Sequence, residues 1–394
     1  MDFSFNEEQL LFQKNVREFA QTNFAAKYTK RSQQEGYDLE VFEKMAEFGI
    51  LGMNLPEEYG GQGEIDYVTM GIAIEEVAKA DFNAAFCCLQ GGIIGHAISN
   101  FASQEIKDKW LPGMCNGTLA VGLSLTEPSC GSDAAAIKTT AVRDGDYYIL
   151  NGEKTSSSFM KANAHIIFAK TDPEAGARGV SAFLVPLDDG QEGLTKSIFS
   201  DIGCKPISRG AITLKDYRVP AKNMIGIEGG GFYTVMNEFD FSRVGIALME
   251  IGAAQAALDD AMEYAKQRTT FGKPLCSYEG ISFQIAEDQT YLDAARLLCY
   301  KALWLRDNDE PHTKEAAMCK WWCPQLAFEV IQHSILIHGH LGYTDEFPEA
   351  QRLVDTLGLQ LGDGAPHIQK MIVARELMGR ESLPYRRPKK NKDK

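Results

Sequence analysis

The chain has 394 residues, 44% hydrophobic and 24% charged, which is enough for two or three domains with cores of their own. Its net charge is 40 − 54 = −14, and binding phosphate backbones needs a basic face, so the charge argues against nucleic acid as a partner. The nine scattered cysteines, the acidic start MDFSFNEEQL and the lack of any run of ~18 apolar residues argue against a disulfide scaffold, a leader segment and membrane insertion, and point to the cytoplasm.

Residues 1–118 read as helical. Asn6 with Gln9 three residues on forms a capping box, and LLFQKNVREFA then repeats apolar residues at helical spacing. Further helices are expected over 39–49, 65–80, 83–101 and 103–112, with LPEEYGGQG as a loop between two of them. From 119 to 226 the period changes. Asp144-Gly145 and Asn151-Gly152 are hairpin signals, and HIIFAKTD, VSAFLVPL, TKSIFSD and AITLKDYRV read as strands of a small antiparallel β-barrel or sandwich. From 227 to 394 long helices return, over 231–266, 278–308, 313–338 and 345–380. The basic end RRPKKNKDK reads as a solvated tail. Cys319 and Cys323 lie four apart on one helix, but no third ligand accompanies them, so reduced core cysteines are the better reading.

Four stretches carry chemistry. LSLTEPSCGSD (123–133) has small and hydroxyl residues whose backbone N–H groups can face an anion or a heteroaromatic ring. QRTTFGKPL (267–275) offers an arginine, HGHLGY (338–343) two histidines, and LGLQLGDGAPHIQK (357–370) a lone carboxylate, Asp363, between two glycines. Taken singly, these read as an ordinary loop, a surface arginine, surface histidines and an Asp-Gly turn.

In this order, with TEP and GSD in the first stretch, NGEK after a hairpin and QR-x-x-FGK in the second, they resemble the acyl-CoA dehydrogenase family over nearly the whole chain. The resemblance implies a mainly α fold with a central antiparallel β-barrel and a C-terminal four-helix bundle. It also implies a homotetramer with one FAD per subunit, which oxidises acyl-CoA to 2-enoyl-CoA and passes electrons to an electron-transferring flavoprotein. It places Leu123, Leu125, Thr126, Gly131, Ser132 and Ser158 against the flavin. Arg268 and Phe271 are placed at a neighbouring subunit's FAD, with Leu336, His338, Gly339 and His340 near the same cofactor. Ala365 and His367 stand where the family has Thr and Gln beside FAD, and Glu279 replaces a Gln at the subunit interface. Phe239, Asp240, Ser242 and Arg243 match the helix lining the CoA groove, and Ser132 is also matched to the substrate. The catalytic base falls at Asp363, and the backbone N–H groups of Asp363 and Gly364 face the thioester oxygen.

Three departures matter. Asp363 stands where common members carry Glu, which withdraws the carboxylate by roughly 1.3 Å. Ser242 occupies the position where other members place the base, and a serine cannot serve there. In KTSSSFMKAN, Ser156 replaces the aromatic that packs on the flavin, and the segment is one residue short, leaving Phe159 as the residue to fill the gap. The shorter base resembles the alicyclic branch, acting on cyclohexane- or cyclohexene-carboxyl-CoA. No acid lies between Asp81 and Glu105, so 1,2-oxidation of a saturated ring is expected over 1,4-oxidation of cyclohex-1-ene-carboxyl-CoA. An ordinary short- or branched-chain dehydrogenase and a non-catalytic flavin-binding protein are the alternatives.

Overall fold

The structure is a computed structural model that describes residues 4–383; the basic tail lies outside the described residues. Helix α1 (Glu7–Asn23) starts as the capping box predicts, with the Asn6 side chain accepting from the Gln9 amide and Gln9 reciprocating. Helices α2 (Tyr28–Arg31), α3 (Leu39–Phe48) and α4 (Tyr67–Ala80) follow. The helix expected over 83–101 is instead α5 (Phe82–Leu89), a π-helical turn at Gln90–Gly95 and α6 (His96–Phe101). The glycines explain the widened turn. A Cβ on Gly91 would lie 2.6 Å from Leu51 O, and one on Gly92 would lie 2.5 Å from Met70 Cε, so backbone packs where side chains normally sit. Helix α7 (Gln104–Cys115) closes the segment.

The middle segment holds β1 (Val121–Ser124), β2 (Thr140–Asp144), β3 (Tyr147–Ser157), β4 (Ala164–Lys170), β5 (Val180–Pro186), β6 (Leu194–Ile198), β7 (Gly210–Pro220) and β8 (Met224–Ile225). They form one sheet in the order β6-β7-β3-β2-β4-β5-β8, with β1 parallel to β4. No pairing joins β6 to β8 among the described residues, so the sheet is open and the expected closed barrel is not found. Asp144-Gly145 makes the β2–β3 hairpin, but Asn151-Gly152 does not turn. It forms an irregularity inside β3, where the Asn151 side chain bonds Asp216 and a Cβ on Gly152 would strike Thr139 Oγ1 at 2.4 Å. Every residue of β4 is buried. Ile166 and Phe168 join the main helical core, whereas Ile167 and Ala169 join a separate core of the sheet.

The C-terminal part has α8 (Gly231–Gln267), a hairpin of β9 (Thr269–Thr270) and β10 (Lys273–Pro274), α9 (Glu279–Asp307), α10 (Thr313–His338), α11 (Glu349–Leu361) and α12 (Pro366–Met378). Among the described residues, five helices therefore stand where the sequence reading expected a bundle of four. The break comes at Gly362–Ala365, where Asp363 and Gly364 take φ of 51° and 103° and Pro366 opens the next helix. Helix α4 presses onto α8: a Cβ on Gly252 would meet Glu75 O at 2.5 Å. The two helical parts share one core.

Candidate active site

Asp363 sits on the loop between α11 and α12, exposed, in a left-handed conformation that L-residues adopt at a cost. The Ser242 hydroxyl of α8 donates to its carboxylate at 2.8 Å. The two positions at which the family resemblance allows a base thus meet in space, and only one carries an acid. On the same helix, Arg243 Nη1 pairs with Asp240 Oδ1 at 2.6 Å, and Thr313 Oγ1 donates to Asp240 Oδ2 at 2.6 Å. Arg243 is 9% exposed, and its Nε has no hydrogen-bond partner among the described residues. Phe239 is half-buried one residue away from this pair.

The TEP–GSD stretch is held from beneath. Glu127 accepts from Lys138 N at 2.6 Å, Thr139 N at 2.9 Å and Lys154 Nζ at 2.7 Å, and Lys154 also donates to Leu125 O at 3.1 Å. Both side chains are buried. Burial works against the Glu127 charge, but Lys154 and the two amides outweigh it and hold the carboxyl below its usual range. Burial pushes the Lys154 ammonium down, against the pull of Glu127. Leu125 is buried and Leu123 and Thr126 half-buried, while Gly131 and Ser132 are exposed. The space beside Gly131 is open: a Cβ there would meet only Thr126 Cγ2, at 3.8 Å.

His165 ties this stretch to the segment 156–159. Its Nε2 lies 3.0 Å from Phe159 O, which can only accept, so Nε2 carries the proton and Nδ1 takes the Ser124 hydroxyl at 2.7 Å. Full burial lowers its pKa to about 4. Ser124 Oγ also lies 2.8 Å from Ser157 Oγ. Ser156 and Phe159 both have positive φ, 53° and 61°. Phe159 is buried, with its ring 6.0 Å from Tyr37 and 6.5 Å from Phe42. Ser156 is exposed and Ser158 half-buried, so this side of the site is small and polar. The loop 203–209 joins the sheet to α11: Phe159 N donates to Ile207 O, and Cys204 N donates to Asp355 Oδ1 of α11, both at 2.6 Å.

The remaining predicted residues lie elsewhere. Arg268 and Phe271 stand out on the β9–β10 hairpin, Phe271 94% exposed with φ 46°. Leu336, Gly339 and His340 are exposed at the end of α10, as is His367 on α12, with Ala365 half-buried; Glu279 is exposed at the start of α9. His338 points inward, its ring 4.7 Å from Tyr264 and 5.4 Å from Phe347, with Nδ1 donating to Ser334 O at 2.8 Å. Sequence reasoning missed His165, Lys320 and Glu250, which carry no motif. It also missed Cys299, whose Sγ lies 3.8 Å from Cys323 Sγ; no group among the described residues could hold a metal ion.

Three family models match the chain: the acyl-CoA dehydrogenase N-terminal domain over 6–118, the middle domain over 122–217 and the C-terminal domain over 229–378. The chain belongs to the acyl-CoA dehydrogenase family. With membership comes the enzyme class, an FAD-dependent oxidoreductase acting on CH–CH groups. This acyl-CoA dehydrogenase is 35% identical over 384 residues to the short-chain specific acyl-CoA dehydrogenase of Megasphaera elsdenii, covering 96% of this chain and 100% of that one. It is 34% identical to the caffeyl-CoA reductase–Etf complex subunit CarC of Acetobacterium woodii, covering 95% and 99%. Its structure superposes on butyryl-CoA dehydrogenase from Megasphaera elsdenii with a TM-score of 0.90 at 34% identity, covering 96% and 100%. No helix among the described residues is long and apolar enough to cross a membrane.

Proposed function

We propose that this protein converts an acyl-CoA thioester to its 2-enoyl-CoA with Asp363 as the base, and that the acyl group is alicyclic, with cyclohexanecarboxyl-CoA as the candidate. The observation that carries the reading is the Asp363 carboxylate, exposed on a constrained loop and oriented by Ser242 at 2.8 Å. Open space beside Gly131, the exposed Ser132 and the hydroxyls of Thr126 and Ser158 form a donor set that fits FAD. Bound there, FAD would supply the acceptor for the hydride leaving Cβ. Asp363 takes the α-proton, and the N–H groups of Asp363 and Gly364 meet the developing enolate oxygen. A carboxylate set back by roughly 1.3 Å leaves room for a ring at Cα. The buried thiols Cys87 and Cys88, the latter raised to about 12 by burial, offer no second base for 1,4-chemistry.

Electrons leave to an electron-transferring flavoprotein, as the Etf complex of the Acetobacterium relative suggests. Phe271, strained and 94% exposed, supports a tetramer in which a second subunit covers it beside Arg268. Likeness to the short-chain specific relative favours a second reading, an ordinary short-chain substrate. Mass spectrometry of products separates them. Turnover of cyclohexanecarboxyl-CoA to its 1-ene supports the proposal. Turnover of butyryl-CoA alone supports the second reading, and a diene formed only from cyclohex-1-ene-carboxyl-CoA refutes the 1,2-assignment.

A further inference from the structure

Lys320 lies inside α10 and is 1% exposed. A lysine is seldom buried unless something uses its charge or its donors. Its Nζ donates to Leu359 O at 2.7 Å and lies 3.5 Å from Gly364 O. Leu359 O is a last-turn carbonyl of α11 that would accept the amide of residue 363 if the helix continued; the chain turns away instead, with φ 51° at Asp363. An ammonium at this end of a helix also meets the negative pole of its dipole. Gly364 O receives Gln369 Nε2 at 3.3 Å from the other side. Lys320 therefore grips the chain four residues before Asp363 and touches it one residue after.

The groups around Lys320 come from three elements. Asp363 faces it from the α11–α12 loop, Glu250 and Arg243 from α8, and Cys323 from its own helix. Glu250 is fully buried, and among the described residues neither of its carboxyl oxygens has a hydrogen-bond partner. Burial pushes it well above the usual carboxyl range against the pull of Lys320, with Cys323 and Asp355 of α11 adding to the rise. The lysine thus lies between the exposed carboxylate and a buried acid.

We propose that Lys320 is a positioning residue for the dehydrogenation: its ammonium pins the loop that aims Asp363 at the substrate, with Glu250 closing the far side. The inference rests on the reading of Asp363 as the base. Burial lowers the Lys320 pKa to about 8, with Asp363 and Glu250 pulling the other way. The lysine is a cation below that pH and loses its charge above it, so the pin weakens as pH rises and kcat acquires a basic limb near there.

The test uses the full-length, FAD-loaded protein as wild type, Lys320→Met, Lys320→Gln and Asp363→Asn. It reads kcat and KM from pH 6 to 9.5 and amide exchange across 360–365. Lys320→Met is expected to lower kcat by ~10- to 100-fold with little change in KM, because misaiming a catalytic group by about 1 Å costs that much. It also loses the basic limb and speeds exchange at Gly362–Gly364. Lys320→Gln keeps an N–H donor without the charge, so it loses the limb but retains more of the loop protection. A Lys320→Met protein with wild-type kcat, or one that is only less heat-stable with the pH profile unchanged, overturns the proposal. If Lys320→Met does not fold, the wild-type profile decides, since a flat kcat between pH 7 and 9 overturns it equally. Asp363→Asn separates the two readings: if that variant still turns over, the base assignment fails whatever Lys320 does.

Discussion

Replacing Lys154 by Met tests what holds the TEP–GSD stretch proposed to bind FAD. In the native chain the ammonium serves two acceptors, Glu127 at 2.7 Å and Leu125 O at 3.1 Å, in a site where both side chains are buried. Removing one partner of a buried pair leaves the other charge uncompensated and costs about 3–5 kcal/mol. Here the lower end applies, because Glu127 keeps two backbone donors, Lys138 N and Thr139 N. If the stretch holds FAD as proposed, a loss of about 3 kcal/mol confined to it appears as weaker FAD retention, by up to roughly 10²-fold. Removing the charge of both partners is milder, so Glu127→Gln with Lys154→Met should retain FAD better than the sum of the single variants predicts. The assay is flavin fluorescence released during denaturant titration, beside circular dichroism for the whole fold. If Lys154→Met holds FAD as tightly as the wild type, the pair is not what orders the stretch, and the reasoning fails.

Other perturbations follow from the same geometry. Phe271→Asp should leave the subunit folded but shift the oligomer to smaller species and release FAD; light scattering that shows an unchanged tetramer refutes the interface. His165 is held neutral by burial, its pKa lowered to about 4, so the native state binds fewer protons than the unfolded chain. Its contribution is therefore intact above about 6.5 and is lost as pH falls to about 4, a cost of roughly 3 kcal/mol. FAD release across that pH range should be blunted in His165→Gln, and an unchanged acid profile contradicts the assignment. Asp363→Glu restores the commoner base and should favour straight-chain esters over cyclohexanecarboxyl-CoA; an unaltered preference ratio argues that base length does not set the acyl group.

Local signals were read where local physics decides. The Asn6–Gln9 box starts α1, and Asp144-Gly145 turns the β2–β3 hairpin. Signals failed where distant contacts decide. Asn151-Gly152 has turn composition, yet Asp216 pairs with it and Thr139 crowds it into an irregularity within β3. The π-helical turn at Gln90–Gly95 follows from backbone contacts to Leu51 and Met70 that no periodicity records. Strand β4 carries no alternation because both of its faces are buried, each in a different core. In the proposed site, Asp363 was singled out by the family-like stretches around it; taken alone it reads as an Asp-Gly turn. Its partner Ser242, 121 residues away, was read as a vacant base position on the helix lining the CoA groove, not as a contact of Asp363. Lys320 and Glu250 were not legible, since a single charged residue in an apolar helix reads as a surface position until the packing shows it buried.

The central claim is that Asp363 removes the α-proton of an acyl-CoA while FAD takes the hydride. Anaerobic stopped-flow mixing of the wild-type protein and Asp363→Asn with cyclohexanecarboxyl-CoA, following flavin absorbance, tests it most directly. The account predicts rapid bleaching of the wild-type flavin. It predicts a ligand-induced spectral shift without bleaching in the variant, with reduction slowed by ~10²- to 10⁴-fold. Comparable bleaching in the variant would contradict it.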